Sequence, residues 1–361
     1  MALPANIIDL DAADFSGKQV ESFKEALWTK TFEDPALNSL LTIIPGVKAK
    51  QQVVILGLFG LVGKTATTTQ CAPLVSNQGI PVVQKFYNPA AVEDRFTECW
   101  KNLLDSFAVW GLKTGINKPD LTGTDFADFL EERVLDGLQK AIYRIVWFAD
   151  KQADNVTDGG HITDGLDPTY FNMIDGLWKQ FFAIATANPS QKISIAKNSG
   201  ASKAAQKFSA ADITNQVVTG YFQSIINDAD ERLFTMNPQF FVTRSVAEQY
   251  RAERRNFANI DLAYTRTESG WDQLEYGGYD IIVLPFEDRM IKEYNDAGTT
   301  FYLPHRIYFT TIDNLHLATE EENALSTVDA FFDKKDKQYY IDLLFNIDAL
   351  VIEEYKLMVA Y

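Results

Sequence analysis

The sequence predicts an α+β fold, on three observations. Residues 124–152 carry apolar side chains at the three-and-four spacing of one helix face. Within residues 51–90, two β-prone runs, VVILGLFG and IPVVQKFYNP, flank a small, polar stretch that contains glycine. Further helices and strands follow without the regular strand–helix–strand alternation of a parallel sheet.

The segment 124–152 has the longest uninterrupted helical pattern. Its periodic apolar residues are Phe126, Leu130, Val134, Leu138, Ile142 and Ile145. Thr124 or Asp125 can cap its start, and no proline interrupts it. Such a helix would be about 40 Å long, so we expect a spine on which other segments pack. Its last part, YRIVWFAD, is apolar nearly all round, which predicts burial on several sides.

Composition limits the possible classes of protein. The chain has 361 residues, 46% hydrophobic, enough for a sizeable core and two or three domains. It lacks a membrane-spanning apolar run and a secretion signal, and Cys71 and Cys99 match no metal or disulfide pattern, so we expect a cytosolic, reduced protein. The net charge of −16 argues against a protein that grips nucleic acid. The acidity fits either plain solubility or a protein that must not stick to adjacent nucleic acid.

The first third predicts an arm, a hairpin and a helix. The arm carries short helices, one around Gly17–Lys30 and one that starts at Pro35 and ends at Pro45-Gly46. The strands within 51–90 form a hairpin too long to be stable alone, so it must lie on its own body or on a neighbouring molecule. AVEDRFTECWKNLLDSFAVWG is predicted as a helix, followed by a linker at Gly111–Leu121.

The rest of the chain mixes helices and strands. MIDGLWKQFFAIATA is helical by pattern, and the polar stretch Asn188–Lys207 is the best internal boundary. Ser209 caps a helix that runs to roughly Asp230, and PQFFVT is a short strand. Ser245 with Glu248 is predicted as a capping box that opens SVAEQYRAERRN.

The segments that close the chain are mainly strands. LEYGGYDIIVLPFED predicts a glycine turn, a buried strand and a proline stop. PHRIYFTTIDNLHLAT predicts a strand and then a turn. From about Ser326, the pattern is a strand, a DKKDK turn and two more strands.

One motif suggests a phosphate-binding loop. Gly63-Lys64-Thr65 follows a β-prone run, as the end of such a loop does. The spacing fails, because the pattern needs a glycine where Leu58 stands, and ATTTQCAP is a poor helix start. We favour a flexible hairpin, and a nucleotide site is the alternative.

Other polar clusters favour structural roles. The loop Asp154–Asp167 lacks the spacing of a calcium loop, so a surface turn is favoured over weak cation binding. His161, His305 and His316 lie apart from one another and from cysteine, which favours structural histidines over a metal or acid–base role.

A small basic cluster could serve an interface. Its members are Arg244, Arg251, Arg254 and Arg255. The last three share a helix face and could pair with carboxylates of a neighbouring subunit. A solvated helix with local pairs to Glu248 and Glu253 explains them equally well.

An ordered set of segments resembles the major capsid protein of tailed bacteriophages, most closely the branch in phages and prophages of Bacteroidetes. The segments are FEDPALNSLLTIIPGVKAKQQVVILGLFGLVGK, YRIVWFADKQA with MIDGLWKQ, NPQFFVTRSVAEQYRAERR, LEYGGYDIIVLPFEDRMI, GTTFYLPHRIYFTTIDNL and a terminal MVAY. The resemblance implies a Hong Kong 97-like fold, with no catalytic site, cofactor or metal.

The resemblance also implies a division of the chain. The expected parts are an N-arm (1–50), an extended loop (51–90), a peripheral domain (91–207) with the spine helix 124–152 and an insertion 154–188, an axial domain (208–325) and return strands of the peripheral domain (326–361). Expected partners are other copies in hexamers and pentamers, and portal, scaffold and accessory capsid proteins, with packaged DNA only in weak, non-specific proximity. A nucleotide hydrolase and a phage tail component are the alternatives.

Overall fold

In this computed structural model, the described residues are 34–56, 82–99, 124–258, 263–320, 327–333, 335 and 338–361. The α-helices in these ranges are α1 (Pro35–Asn38), α2 (Thr124–Phe148), α3 (Leu177–Ala187), α4 (Ala210–Thr214), α5 (Val217–Asp228), α6 (Arg244–Ala258) and α7 (Pro285–Tyr294). Both helices and sheets are present, so the α+β prediction is confirmed.

The strands of the described ranges form three sheets. Strands β1 (Thr42–Ile44), β4 (Ala90–Cys99), β11 (Leu315–Thr319), β12 (Thr327–Asp333) and β13 (Gln338–Val351) form a five-stranded sheet. Strands β5 (Lys192–Ile193), β6 (Gln239–Val242), β7 (Thr265–Arg266), β8 (Asp272–Tyr276), β9 (Tyr279–Val283), β10 (Ile307–Thr310) and β14 (Met358–Ala360) form a seven-stranded sheet in the order β5-β14-β10-β6-β9-β8-β7. Strands β2 (Gln51–Leu56) and β3 (Val82–Tyr87) form a separate hairpin.

Helix α2 is the predicted spine. It begins at Thr124 as expected and ends at Phe148, four residues before the predicted end. Leu138 and Ile142 are 4% and 1% exposed, and Trp147 is fully buried. These side chains share one core cluster with α3 and with the five-stranded sheet. Burial of the apolar end of the helix on several sides is therefore confirmed.

The start of the predicted helix AVEDRFTECWKNLLDSFAVWG is wrong. Its residues 91–99 belong to β4, which pairs antiparallel with β13 over ten residue pairs, from Ala90 with Ile347 to Cys99 with Gln338. Val92 is buried and Phe96 packs against the core, and an even spacing places both on one face of the strand. The pairing partner lies about 250 residues away, so the helical spacing alone could not reveal it. Residues 100–111 of the prediction lie outside the described residues.

Two other helices end earlier than predicted. Helix α1 stops at Asn38, and the strand β1 follows before Pro45, because β1 pairs in parallel with β11. The helix capped by Ser209 has the expected cap, in a capping box with Asp212. It breaks at Gln216, whose φ of 51° is left-handed, and α5 starts one residue later.

The proline predicted as a stop also starts a helix. Gly277 and Gly278 have φ of 62° and 86° and make the expected turn between β8 and β9. Pro285 then occupies the first turn of α7, where its missing N–H costs nothing. The predicted strand, turn and two strands from about Ser326 are β12, β13 and β14, and β14 joins the seven-stranded sheet through β10.

The predicted capping box at Ser245 is wrong. Helix α6 already includes Arg244, and the Ser245 hydroxyl contacts His305 Nδ1 at 2.8 Å. The first N–H groups of the helix, on Arg244 and Ser245, donate to the carboxylate of Asp288 in α7. A distant carboxylate therefore stabilises this helix start in place of a local glutamate.

The polar stretch 188–207 carries tertiary contacts of its own. Its strand β5 pairs in parallel with β14, and Ile195 lies in the core of the seven-stranded sheet. Gln206 is buried and bonds the backbone of Phe301 through both ends of its amide. This stretch therefore packs against the seven-stranded sheet and the segment that contains Phe301.

Candidate functional site

The hairpin of β2 and β3 presents apolar side chains to solvent. Six residue pairs set its register, from Gln51 with Tyr87 to Leu56 with Val82. Val54 lies directly opposite Gln84, and Phe86 is two residues from Gln84 on the same strand. Val54 and Phe86 therefore lie on the same face. They are 51% and 41% exposed. An isolated two-stranded hairpin is marginal in water, so this face is suited to contact another surface.

The base of the hairpin is fixed to the five-stranded sheet. The Tyr87 hydroxyl contacts His316 Nδ1 at 2.5 Å, and Tyr87 itself is buried. Burial, reinforced by the negative charge of Asp348, raises the pKa of Tyr87 to about 12, so the phenol stays protonated. The next backbone N–H, on Asn88, donates to the Asp348 carboxylate at 2.7 Å.

Lys85 provides a second attachment from the same hairpin face. Its ammonium donates to the Val351 carbonyl at 3.0 Å and lies 3.0 Å from the Glu354 carboxylate. One face of the hairpin is therefore held to the rest of the chain through Tyr87 and Lys85, and the exposed Val54 and Phe86 lie on the opposite face. The prediction of two strands on either side of an excursion is confirmed for the strands, and residues 57–81 between them lie outside the described residues.

The basic cluster on α6 has local partners in part. Arg251 pairs with Glu248 at 3.3 Å and lies over the Tyr264 ring, with 4.4 Å to its centroid. Arg244 lies 4.0 Å from the same glutamate. The local pairing with Glu248 is therefore confirmed.

The predicted pairing of these arginines with Glu253 is wrong. Glu253 is fully buried and accepts from the N–H groups of Val218 and Thr219, so it caps the start of α5. Arg254 Nε is buried and has no hydrogen-bond partner among the described residues. The sequence could not reveal the cap, because 35 residues separate Glu253 from Val218.

The three histidines lie in three separate places. The His161 ring stacks on Tyr302 with 3.6 Å between centroids. His305 contacts Ser245 and the Gln206 carbonyl, and its burial lowers its pKa, which keeps it neutral. In the part of the chain that the structure describes, no cluster of three histidine, cysteine or acidic residues could hold a metal ion.

The loop Asp154–Asp167 forms hydrogen bonds within itself and to the end of α7. Thr157 donates to the Asp164 carboxylate through both its N–H and its hydroxyl. Thr163 donates its N–H to the carbonyl of Tyr294 at the end of α7. The Asp164 carboxylate therefore stabilises a turn, and the loop packs on the end of α7.

The phosphate-loop motif cannot be located. Gly63, Lys64 and Thr65 lie outside the described residues, as does Cys71. Among the described helices, none has the length and apolar character needed to cross a membrane.

Comparison with known proteins gives matches among solved structures. One chain of the satellite phage P4 procapsid, a structure that includes the size determination protein, matches 94% of this chain and 98% of its own length, at 12% identity and a TM-score of 0.51. The chain has the Hong Kong 97-like capsid fold. A chain of the cyanophage A-1(L) capsid and a chain of Mycobacterium phage Ogopogo match 91% and 90% of this chain, and 92% and 90% of their own lengths, at 12% and 10% identity and TM-scores of 0.47 and 0.48. No family model and no curated protein matches the sequence.

The Hong Kong 97-like fold confirms the fold expected from the resemblance. The match to the P4 chain is nearly end to end on both chains, so the fold accounts for both large sheets and for the spine helix together. The Bacteroidetes branch and the division into arm, loop, peripheral and axial parts stay predictions.

Proposed function

We propose that this chain is the major capsid protein of a tailed phage or prophage, which self-assembles into the icosahedral shell around the genome. The observation that carries the proposal is the capsid fold over nearly the whole chain. A shell subunit is a structural protein, and its function lies in the surfaces by which copies contact one another. The protein would then reside in the virion, after assembly in the host cytoplasm.

The hairpin supports a role in contacts between copies. Val54 and Phe86 expose apolar area on one face, while Tyr87 and Lys85 fix the base. A hairpin that is fixed on one face and exposes apolar side chains on the other fits a structural element that is buried against a neighbouring subunit. Obligate interfaces of this kind bury about 2,000–5,000 Å².

Partners follow from this role. The chain would contact other copies in hexamers and pentamers, and a portal, a scaffold and accessory capsid proteins. The net charge of −16 suits a wall that must not hold packaged DNA tightly. Arg251, Arg254 and Arg255 remain candidates for contacts at an interface, with Arg251 already sharing Glu248 within the chain.

Negative-stain microscopy of the purified protein tests the function. Closed icosahedral particles are expected. Tubes would favour a tail component, and a chain that stays monomeric at high concentration would contradict shell formation. The remaining alternative, a nucleotide hydrolase, predicts tight binding of ATP with Mg²⁺ that is lost in Lys64→Ala. We expect no such binding, and we expect Lys64→Ala to fold.

A hairpin variant separates folding from assembly. Val54→Glu places a charge on the exposed apolar face, so we expect a folded subunit with wild-type thermal unfolding and a loss of assembled particles of about tenfold or more. Gln51→Glu adds the same charge on the opposite face and is expected to assemble normally. Sedimentation velocity measures the particles. Wild-type particle yield from Val54→Glu would contradict the role of this face.

A further inference from the structure

A cavity lies away from the hairpin and from the basic cluster on α6. It has a volume of about 670 Å³ and lies between the end of α2, the helix α3, the loop around His161 and the segment that contains Arg306. Small-molecule sites commonly have about 300–1,000 Å³. Ala183 and Thr186 on α3 line it and are exposed, so the cavity opens to solvent.

The cavity wall includes the buried, positively charged side chain of Arg306. Arg306 is 1% exposed. Its Nε donates to the Leu303 carbonyl at 2.8 Å, and its Nη2 donates to Asn295 Oδ1 at 3.2 Å and to the Tyr302 carbonyl at 3.1 Å. All three acceptors are neutral. Among the described residues, Nη1 has no acceptor and the guanidinium has no carboxylate in ion-pair contact.

Aromatic rings surround the same guanidinium. Its carbon lies 4.9 Å from the centroid of the Trp178 ring, 5.2 Å from that of Phe148 and 5.8 Å from that of Phe182. All three residues line the cavity. Such contacts stabilise a buried cation without neutralising it.

Nearby acids do not cancel the charge. The Asp150 carboxylate lies 2.8 Å from the Lys179 ammonium, and Asp154 is exposed and screened by water. Glu287 accepts from Trp178 Nε1, and its second oxygen has no hydrogen-bond partner among the described residues. Burial raises the pKa of Glu287 to about 8, against the opposing effect of Arg306, so its carboxyl is mainly protonated at neutral pH.

We propose that this cavity binds a carboxylate that carries an apolar, preferably aromatic, group. The carboxylate would accept hydrogen bonds from Arg306, and the apolar group would lie against Trp178 and Phe182. Arginine and carboxylate form charge-assisted hydrogen bonds, which are strong where water is excluded. The carboxylate could belong to a small acid or to the free end of a peptide. This site is independent of shell assembly.

Isothermal titration of the full chain with 4-phenylbutyrate and with its neutral amide tests the site. The acid is expected to bind about tenfold or more tightly than the amide, because only the acid pairs with Arg306. A peptide that ends in a phenylalanine with a free carboxylate, compared with its amidated form, is the second arm. Binding of the acid alone assigns the site to small acids, and binding of the free-ended peptide extends it to chain ends.

Three variants keep the test decisive. Arg306→Gln is expected to abolish the preference for the acid, although its burial makes the fold vulnerable. Ala183→Glu, at the exposed rim, adds a carboxylate that repels the ligand or pairs with the Arg306 guanidinium. We therefore expect the affinity of the protein for 4-phenylbutyrate to fall by about tenfold or more. Ser190→Glu adds the same charge just beyond α3 and is expected to bind normally. Equal binding of acid and amide, or unchanged binding by Ala183→Glu, would overturn the proposal.

Discussion

Shortening the buried Ile142 side chain of the spine helix to alanine gives the sharpest test of the fold. Ile142 is 1% exposed and packs in the core cluster that joins α2 and α3 to the five-stranded sheet. Removal of three side-chain carbons from such a site loses transfer free energy and leaves a cavity. We therefore expect Ile142→Ala to lower the free energy of unfolding by about 2–5 kcal/mol. A domain has only about 5–15 kcal/mol in total, so this loss is large.

A charge at the same position has a greater effect. Ile142→Asp adds the cost of burying a carboxylate without a partner, so we expect no folded subunit and no particles. Lys140→Ala, at an exposed position of the same helix, is the matched control and is expected to change stability by less than about 0.5 kcal/mol.

Urea unfolding of the unassembled subunit measures these effects. Trp147 and Trp178 are buried in the same cluster, so their fluorescence reports its loss. A change below about 1 kcal/mol for Ile142→Ala would refute the assignment of α2 as the spine, because it falls well under the cavity cost.

Further predictions concern a helix cap, a buried acid and two glycines. Asp288→Ala removes the carboxylate that accepts from the first N–H groups of α6, so urea unfolding should show a loss of about 1–2 kcal/mol, and an unchanged value would contradict the cap. For Glu287, burial raises the folded pKa to about 8 from an ordinary value of 4.5, so the folded state retains a proton that the unfolded state releases. The retained proton stabilises the folded state fully below pH 4.5, and this stabilisation is lost as pH rises to about 8. Glu287→Gln should therefore flatten the pH dependence of urea unfolding between these two pH values. An identical pH profile for the variant and the wild type would count against the buried acid. Gly176→Ala should destabilise, because a Cβ there would lie 2.9–3.0 Å from backbone atoms at the end of α2, whereas Gly220→Ala, in open space on α5, should stabilise by about 0.5–1 kcal/mol in thermal unfolding; equal effects of the two would be inconsistent with this packing.

Local patterns were enough to predict several elements. The spine helix, the strands of the hairpin and the glycine turn before β9 all have side-chain periods or turn residues that act within a few positions. Ser209 with Asp212 is likewise a local cap. These elements fold as predicted because local preference and tertiary packing agree.

Long-range pairing explains the errors. Residues 91–99 were predicted as the start of a helix, and they form a strand because β13 lies beside them. The start of α5 is capped by Glu253, 34–35 residues from the groups it binds, and the start of α6 by Asp288, 43–44 residues away. No pattern in a single sequence identifies such a partner.

The candidate sites divide in the same way. The exposed apolar face of the hairpin follows from β-prone runs that a hairpin cannot bury by itself. The cavity beside Arg306 was not predicted, because its wall combines residues from α2, α3 and the segment before β10. A lone arginine beside a proline and a histidine gives no signal of a binding site in the sequence.

Shell formation by this chain is tested by a three-dimensional electron-microscopy reconstruction of the particles that the purified protein forms. We expect a closed icosahedral shell in which the hairpin of β2 and β3 lies over an adjacent copy, with Val54 and Phe86 buried at the contact. A helical tube, or a chain that never assembles under any condition in which it is folded, would contradict it.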